Sequence, residues 1–73
     1  MSVDGVVDIF CRVLETTEVT PDSDFFALGG DSLIATRVLS AVARTYRTEL
    51  SFEDFVAAPT PGALAKKIAG SRP

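Results

Sequence analysis

Histidine is absent from this sequence, as is tryptophan, and cysteine occurs once, at Cys11. Without histidine the chain lacks the usual general base, the usual partner of a serine or cysteine nucleophile, and the commonest metal ligand. One cysteine cannot close an internal disulfide, so the fold is no disulfide framework, and a reducing, cytoplasmic setting is expected. No apolar stretch approaches the ~18 residues that suggest a membrane span. No basic start leads into a long apolar run, so no secretion signal is visible. Basic residues are outnumbered by acidic ones, seven to ten, for a net charge of −3. A nucleic-acid partner would require a basic stripe and an anionic membrane a basic cluster, so neither is expected.

What remains is the composition of a small folded protein, 47% hydrophobic and 23% charged with four prolines. Disordered chains combine few apolar residues with high charge, which does not fit. Seventy-three residues allow one domain, 1–73, and no more. A chain of this size buries only about 60% of the surface its unfolded form exposes, so its core is thin and leaves no room for a deep substrate cavity.

From Val3 to Leu14 apolar residues fall at Val3, Val6, Val7, Phe10, Val13 and Leu14, gaps of three and four that make one face of a helix. Asp4 and Asp8 lie early and Arg12 late, as the helix dipole favours. Cys11 lies inside this helix and reads as a small inert apolar residue, with no neighbouring histidine to activate it. Thr16 to Asp31 is rich in turn and cap formers and reads as a long loop. Such a loop needs pins; Phe25, Phe26 and Leu28 are the obvious ones, with at least one phenylalanine plugged into the core. Asp24 is placed to cap a short turn over Phe25–Ala27.

Gly29-Gly30 allows positive φ and close approach by another molecule. Asp31 or Ser32 then caps a long helix running to about Arg47. Ile34, Val38, Val42 and Tyr46 step by four and are expected to face the core, while Leu33 lies about a hundred degrees from Ile34, at the rim or outside. Ser51-Phe52-Glu53-Asp54 opens a short third helix with Phe52, Phe55 and Val56 turned inward, ending before Pro59. Thr60-Pro61 starts the last helix, with threonine at the cap and proline at the first helical position. Leu64, Ala65 and Ile68 form its inner side, Lys66 and Lys67 are solvated, Gly70 stops it, and Ser71-Arg72-Pro73 is a tail. The expected fold is all-α: a small four-helix bundle of three main helices and one short one.

Ser32 has no histidine to activate it, and Lys66 and Lys67 lie on a distant helix. No His/Cys set suits a metal. Asp22, Asp24 and Asp31 lack the order and terminal glutamate of a calcium hand. The chain is therefore not expected to be an enzyme. The segment from Asp24 to Leu33 stays unexplained by this. A cap needs the serine or the aspartate, but not two glycines before it and an outward leucine after it. Those features suit a serine presented on a protrusion for another protein's active site. Unpaired N–H groups at a helix start also favour a phosphate attached there. A capping serine after a flexible turn accounts for the same residues.

The run Asp24-Phe25-Phe26-Ala27-Leu28-Gly29-Gly30-Asp31-Ser32-Leu33 resembles the attachment motif of the peptidyl carrier proteins of nonribosomal peptide synthetases. The resemblance covers nearly the whole chain: the first helix, the long loop, the helix after the serine and the Ala58-Pro59-Thr60-Pro61 entry to the last helix all fall in family order. It implies an acyl-carrier-protein-like four-helix bundle whose serine, here Ser32, receives 4′-phosphopantetheine from coenzyme A through a separate phosphopantetheinyl transferase. The thiol of that arm then holds an amino acid or peptide as a thioester. Implied partners are the transferase, an adenylation enzyme, and downstream condensation or tailoring enzymes. Gly30, Asp31, Leu33 and Arg37 are the implied partner-contact residues, on a monomer.

Asp31 stands where many elongation-type members have histidine, and aspartate there is also familiar in the family. Fatty-acid carriers resemble this chain less, because their helix after the serine is acidic whereas here its charges are Arg37, Arg44 and Arg47. A solvated face also accommodates these arginines, the last two near the helix C-terminus. No proline- or glycine-rich linker flanks the helices, so a free-standing carrier is expected. Two other readings stay open: an acyl carrier of a polyketide or fatty-acid-like pathway, and an unmodified helical interaction module.

Overall fold

The computed structural model describes residues 3–71. Four helices follow one another: α1 (Val3–Leu14), α2 (Ser32–Tyr46), the short α3 (Phe52–Ala57) and α4 (Pro61–Ser71). No strand occurs among the described residues. α1 packs against both α2 and α4, and α3 packs against α2.

The core joins Val6, Ile9 and Phe10 of α1, Phe25 of the loop, Ala35, Val38 and Val42 of α2, Phe55 of α3, and Leu64 and Ile68 of α4, all essentially inaccessible. Three rings meet at its centre. Phe25 lies 4.8 Å from Phe55 and 5.6 Å from Phe10, centroid to centroid, and Phe10 lies 6.1 Å from Phe55. All three pairs are edge-to-face, the arrangement the ring quadrupoles favour.

The α1 reading holds in extent, but its innermost residues include Ile9, which the expected stripe omitted, while Val13 and Leu14 are only partly buried. On α2 the inner row is Ala35, Val38 and Val42, with Ile34 and Tyr46 at its margin. Alanine weighs little in a hydrophobic pattern, yet its size is what lets a neighbouring helix approach. α2 ends at Tyr46, and Arg47 caps it in the left-handed region, φ 55°.

α3 corrects an expectation. Ser51 and Asp54 close a capping box, with Asp54 N–H donating to Ser51 Oγ at 3.1 Å and Ser51 N–H donating to Asp54 Oδ2 at 3.0 Å. Of the three side chains expected inward only Phe55 is buried; Phe52 is 41% and Val56 48% exposed. Six residues make less than two turns. A helix that short presents one side chain to the core, and Val56, the next residue, points about a hundred degrees away.

α4 starts as expected: Ala63 N–H donates to Thr60 Oγ1 at 3.2 Å and Pro61 occupies the first helical position. It does not stop at Gly70 but continues to Ser71. Glycine ends a helix by turning left-handed, and Gly29 is the described glycine with positive φ. Arg72 and Pro73, the remainder of the expected tail, lie outside the described residues. Lys66 is exposed, but Lys67 Nζ lies 3.7 Å from Asp54 Oδ1 and links α4 to α3.

The candidate serine site

The long loop positions the site, and it is pinned along its middle. Gly62 N–H donates to Pro21 O at 2.9 Å, and Phe25 N–H donates to Pro59 O at 2.9 Å. Those two bonds tie the loop to the entry of α4. Thr20 and Ser23 hold their own turn, Thr20 N–H donating to Ser23 Oγ at 2.9 Å. Asp24 then organises the next one as expected. Its Oδ1 accepts from Phe26 N–H at 2.8 Å and from Ala27 N–H at 3.2 Å, and residues 25–29 form a turn. Phe25 is the ring plugged into the core, while Phe26 stays partly exposed, edge-on to Phe25 at 5.3 Å.

The two glycines serve different ends. Gly29 has φ 97°, a conformation that other residues rarely adopt, and open space where a side chain would go. Gly30 has no positive φ. A Cβ there would collide with the Phe25 ring. The close approach expected from another molecule is therefore made at Gly30 by the protein's own phenylalanine. Gly30 N–H also donates to Phe25 O at 3.1 Å. This fixes the chain one residue before the helix.

The cap falls to Asp31, whose backbone is extended and whose Oδ1 accepts from Ile34 N–H at 3.0 Å. Asp31 O accepts from Ala35 N–H at 2.8 Å. Ser32 is thus the first residue of α2, exposed, and its hydroxyl enters no hydrogen bond among the described residues. The N–H groups of Ser32 and Leu33 are likewise without partners there. An attached phosphodiester fits this arrangement: a free oxygen stands beside two unpaired donors at the positive end of a 15-residue helix.

Leu33 is 69% exposed, the most exposed large apolar side chain among the described residues. Arg37 lies one turn further along the same face, also exposed. Gly30, Asp31, Ser32, Leu33 and Arg37 therefore occupy one end and one side of α2, with only Gly30 turned toward the interior. The sequence reading missed the tie between Gly30 and Phe25. Their five-residue spacing around a tight turn was the only signal.

Four helices surround a thin aromatic core and leave an exposed serine at the head of the second helix. A family model described as a phosphopantetheine attachment site matches residues 4–68, and the chain belongs to that family. A probable non-canonical nonribosomal peptide synthetase, CymA, of Salinispora arenicola is 46% identical over 57 residues, which is 78% of this chain and 1% of that protein. A dimodular nonribosomal peptide synthase of Bacillus subtilis is 38% identical over 61 residues, 84% of this chain and 3% of that protein. The chain thus spans a few hundredths of the length of these relatives. A peptidyl carrier protein, solved with the phosphopantetheine transferase Sfp and coenzyme A, superposes with a TM-score of 0.91 at 33% identity, covering 96% of this chain and 91% of that one.

Proposed function

We propose that Ser32 carries the 4′-phosphopantetheine arm and that the protein is a passive peptidyl carrier for enzymes of nonribosomal peptide or related biosynthesis. The observation that carries this reading is the division of labour at the head of α2. Asp31 does the capping, so the Ser32 hydroxyl is left idle and outward. In the attachment step the Ser32 oxygen forms a new bond to the phosphorus of coenzyme A that bears the pantetheine. 3′,5′-Adenosine diphosphate leaves, and the serine proton passes to a base on the transferase. This chain supplies no base, in keeping with its lack of histidine.

The arm's thiol is a good leaving group for an aminoacyl or peptidyl thioester, and a tether raises the effective concentration of that cargo at each partner. The transferase and an adenylation enzyme are the first partners, followed by condensation or tailoring enzymes. Leu33 and Arg37, exposed beside Ser32, are the side chains these partners meet first. The relatives' peptide synthetases favour amino-acid cargo over the acyl groups of a polyketide carrier.

Incubation with coenzyme A, magnesium and a broad-specificity transferase tests the assignment by intact mass. The expected result is the addition of one phosphopantetheinyl group, absent in Ser32→Ala and retained in Asp31→Asn. A folded wild-type protein that gains no mass, or a Ser32→Ala variant that does, overturns it.

A further inference from the structure

Alongside Ser32 the surface between α1 and α2 opens into a groove of about 830 Å³. Leu33, Arg37, Ser40 and Arg44 run down its α2 wall, and Arg12 of α1 and Glu15, just past the end of that helix, stand on the other side. Steps of four, three and four place the α2 residues in one row, about 16 Å from Leu33 to Arg44 at the helical rise. Arg37 and Arg44 lie two turns apart.

The charge here opposes that of the molecule. The chain has ten acidic residues and seven basic ones, yet in this groove three arginines face one glutamate. None of these arginines forms an ion pair among the described residues; the Lys67–Asp54 pair joins α4 to α3 instead. A free guanidinium is a rigid fork of donors, weakly hydrated and matched to carboxylates.

We propose that this groove seats an acidic amphipathic helix of a partner enzyme, with carboxylates two turns apart meeting Arg37 and Arg44 and an apolar side chain resting on Leu33. A channel between two helices is the shape that takes a third helix. The inference rests on the carrier reading, because Leu33 adjoins Ser32 and a helix held here brings its enzyme to the base of the arm. A protein helix suits the charge distribution better than a membrane or a nucleic acid. Those continuous polyanions extend past the groove and meet a molecule of net charge −3, whereas a helix confines its carboxylates to the arginine row.

The test is a ¹⁵N NMR titration of the full chain, before and after phosphopantetheinylation. The probe is a synthetic amphipathic peptide with glutamates seven residues apart and a leucine one turn beyond one of them, on the same face. A lysine-for-glutamate counterpart and phosphatidylserine-containing vesicles are the other arms. Saturable shifts are expected along Leu33, Arg37, Ser40 and Arg44 and at Arg12, weakening as NaCl is raised. Arg37→Glu/Arg44→Glu, both at exposed positions, is expected to weaken binding about tenfold or more with the fold intact by circular dichroism. Equal binding of the lysine peptide, shifts spread over α3 and α4, unchanged affinity in the double variant, or binding to vesicles alone overturns the proposal. The mass assay on the same sample separates the two readings. Failure to gain the arm retires the carrier function and with it the enzyme partner proposed here, whatever the peptide does, whereas an arm gained with no shifts along the arginine row overturns the groove proposal alone.

Discussion

Gly29 and Gly30 stand side by side but answer to different constraints, and substitution separates them. At Gly29 the constraint is the backbone: φ is 97° and nothing occupies the space a methyl would take. Gly29→Ala is expected to cost about 1 kcal/mol, the penalty of a left-handed L-residue. At Gly30 the constraint is the Phe25 ring, itself wedged between Phe10 and Phe55. A methyl there must push the ring into a filled core, and Gly30→Ala is expected to cost about 1–3 kcal/mol. Urea unfolding of the two variants checks the order. Gly30→Ala equal to or milder than Gly29→Ala would show that the ring moves freely, against the packing described.

Among the elements, α3 is held chiefly by its first turn and by one side chain. The Asp54 carboxyl is pulled below its usual pKa first by the Ser51 backbone N–H, then by the Ser51 hydroxyl, with Lys67 adding a smaller effect and desolvation opposing. A carboxyl whose folded pKa is lowered contributes stability that is present above its unfolded value, about 3.9, and is lost as pH falls through the folded one. α3 is therefore expected to loosen as the pH drops below about 4. A ¹³C titration should find Asp54 below an unperturbed aspartate in the wild type and closer to it in Ser51→Ala. If Ser51→Ala leaves the Asp54 titration where it was, the capping box is not what sets it. The exposed Phe52 and Val56 belong to the same element, and their exposure follows from its having only one inward position.

For the whole molecule, the core and the site are neighbours that share a loop without sharing atoms. The described residues have a radius of gyration of 10.6 Å, against about 11 Å expected for one domain of this length. One contiguous cluster draws on all four helices and the loop, so residues 3–71 are expected to unfold as a single domain in one transition. Ser32 lies outside that cluster, and the modification proposed for it is expected to leave the core unmoved. Comparing ¹³C methyl spectra of the unmodified and modified protein, we expect Val6, Val38, Leu64 and Ile68 to keep their shifts and Leu33 to change. A wholesale change of core methyl shifts would mean that the arm folds back into the bundle and that the carrier is not a passive display.

The sequence by itself determined the helices and the idle chemistry. Local signals sufficed for α1, for the Thr60-Pro61 start, for the Ser51 cap and for the absence of any histidine to activate Ser32, because periodicity, capping and composition act within a few residues. Tertiary structure decided what depends on neighbours distant in the chain. It placed Ala35 inside in preference to Ile34, turned Phe52 and Val56 outward and set Arg12 opposite Arg37 and Arg44, whereas the choice of Asp31 as the cap and the fit of Gly30 against the Phe25 ring are local details that composition alone left open. Which residue is inside is settled by the partner surface that covers it, and in so thin a core each helix has room to present only a few side chains.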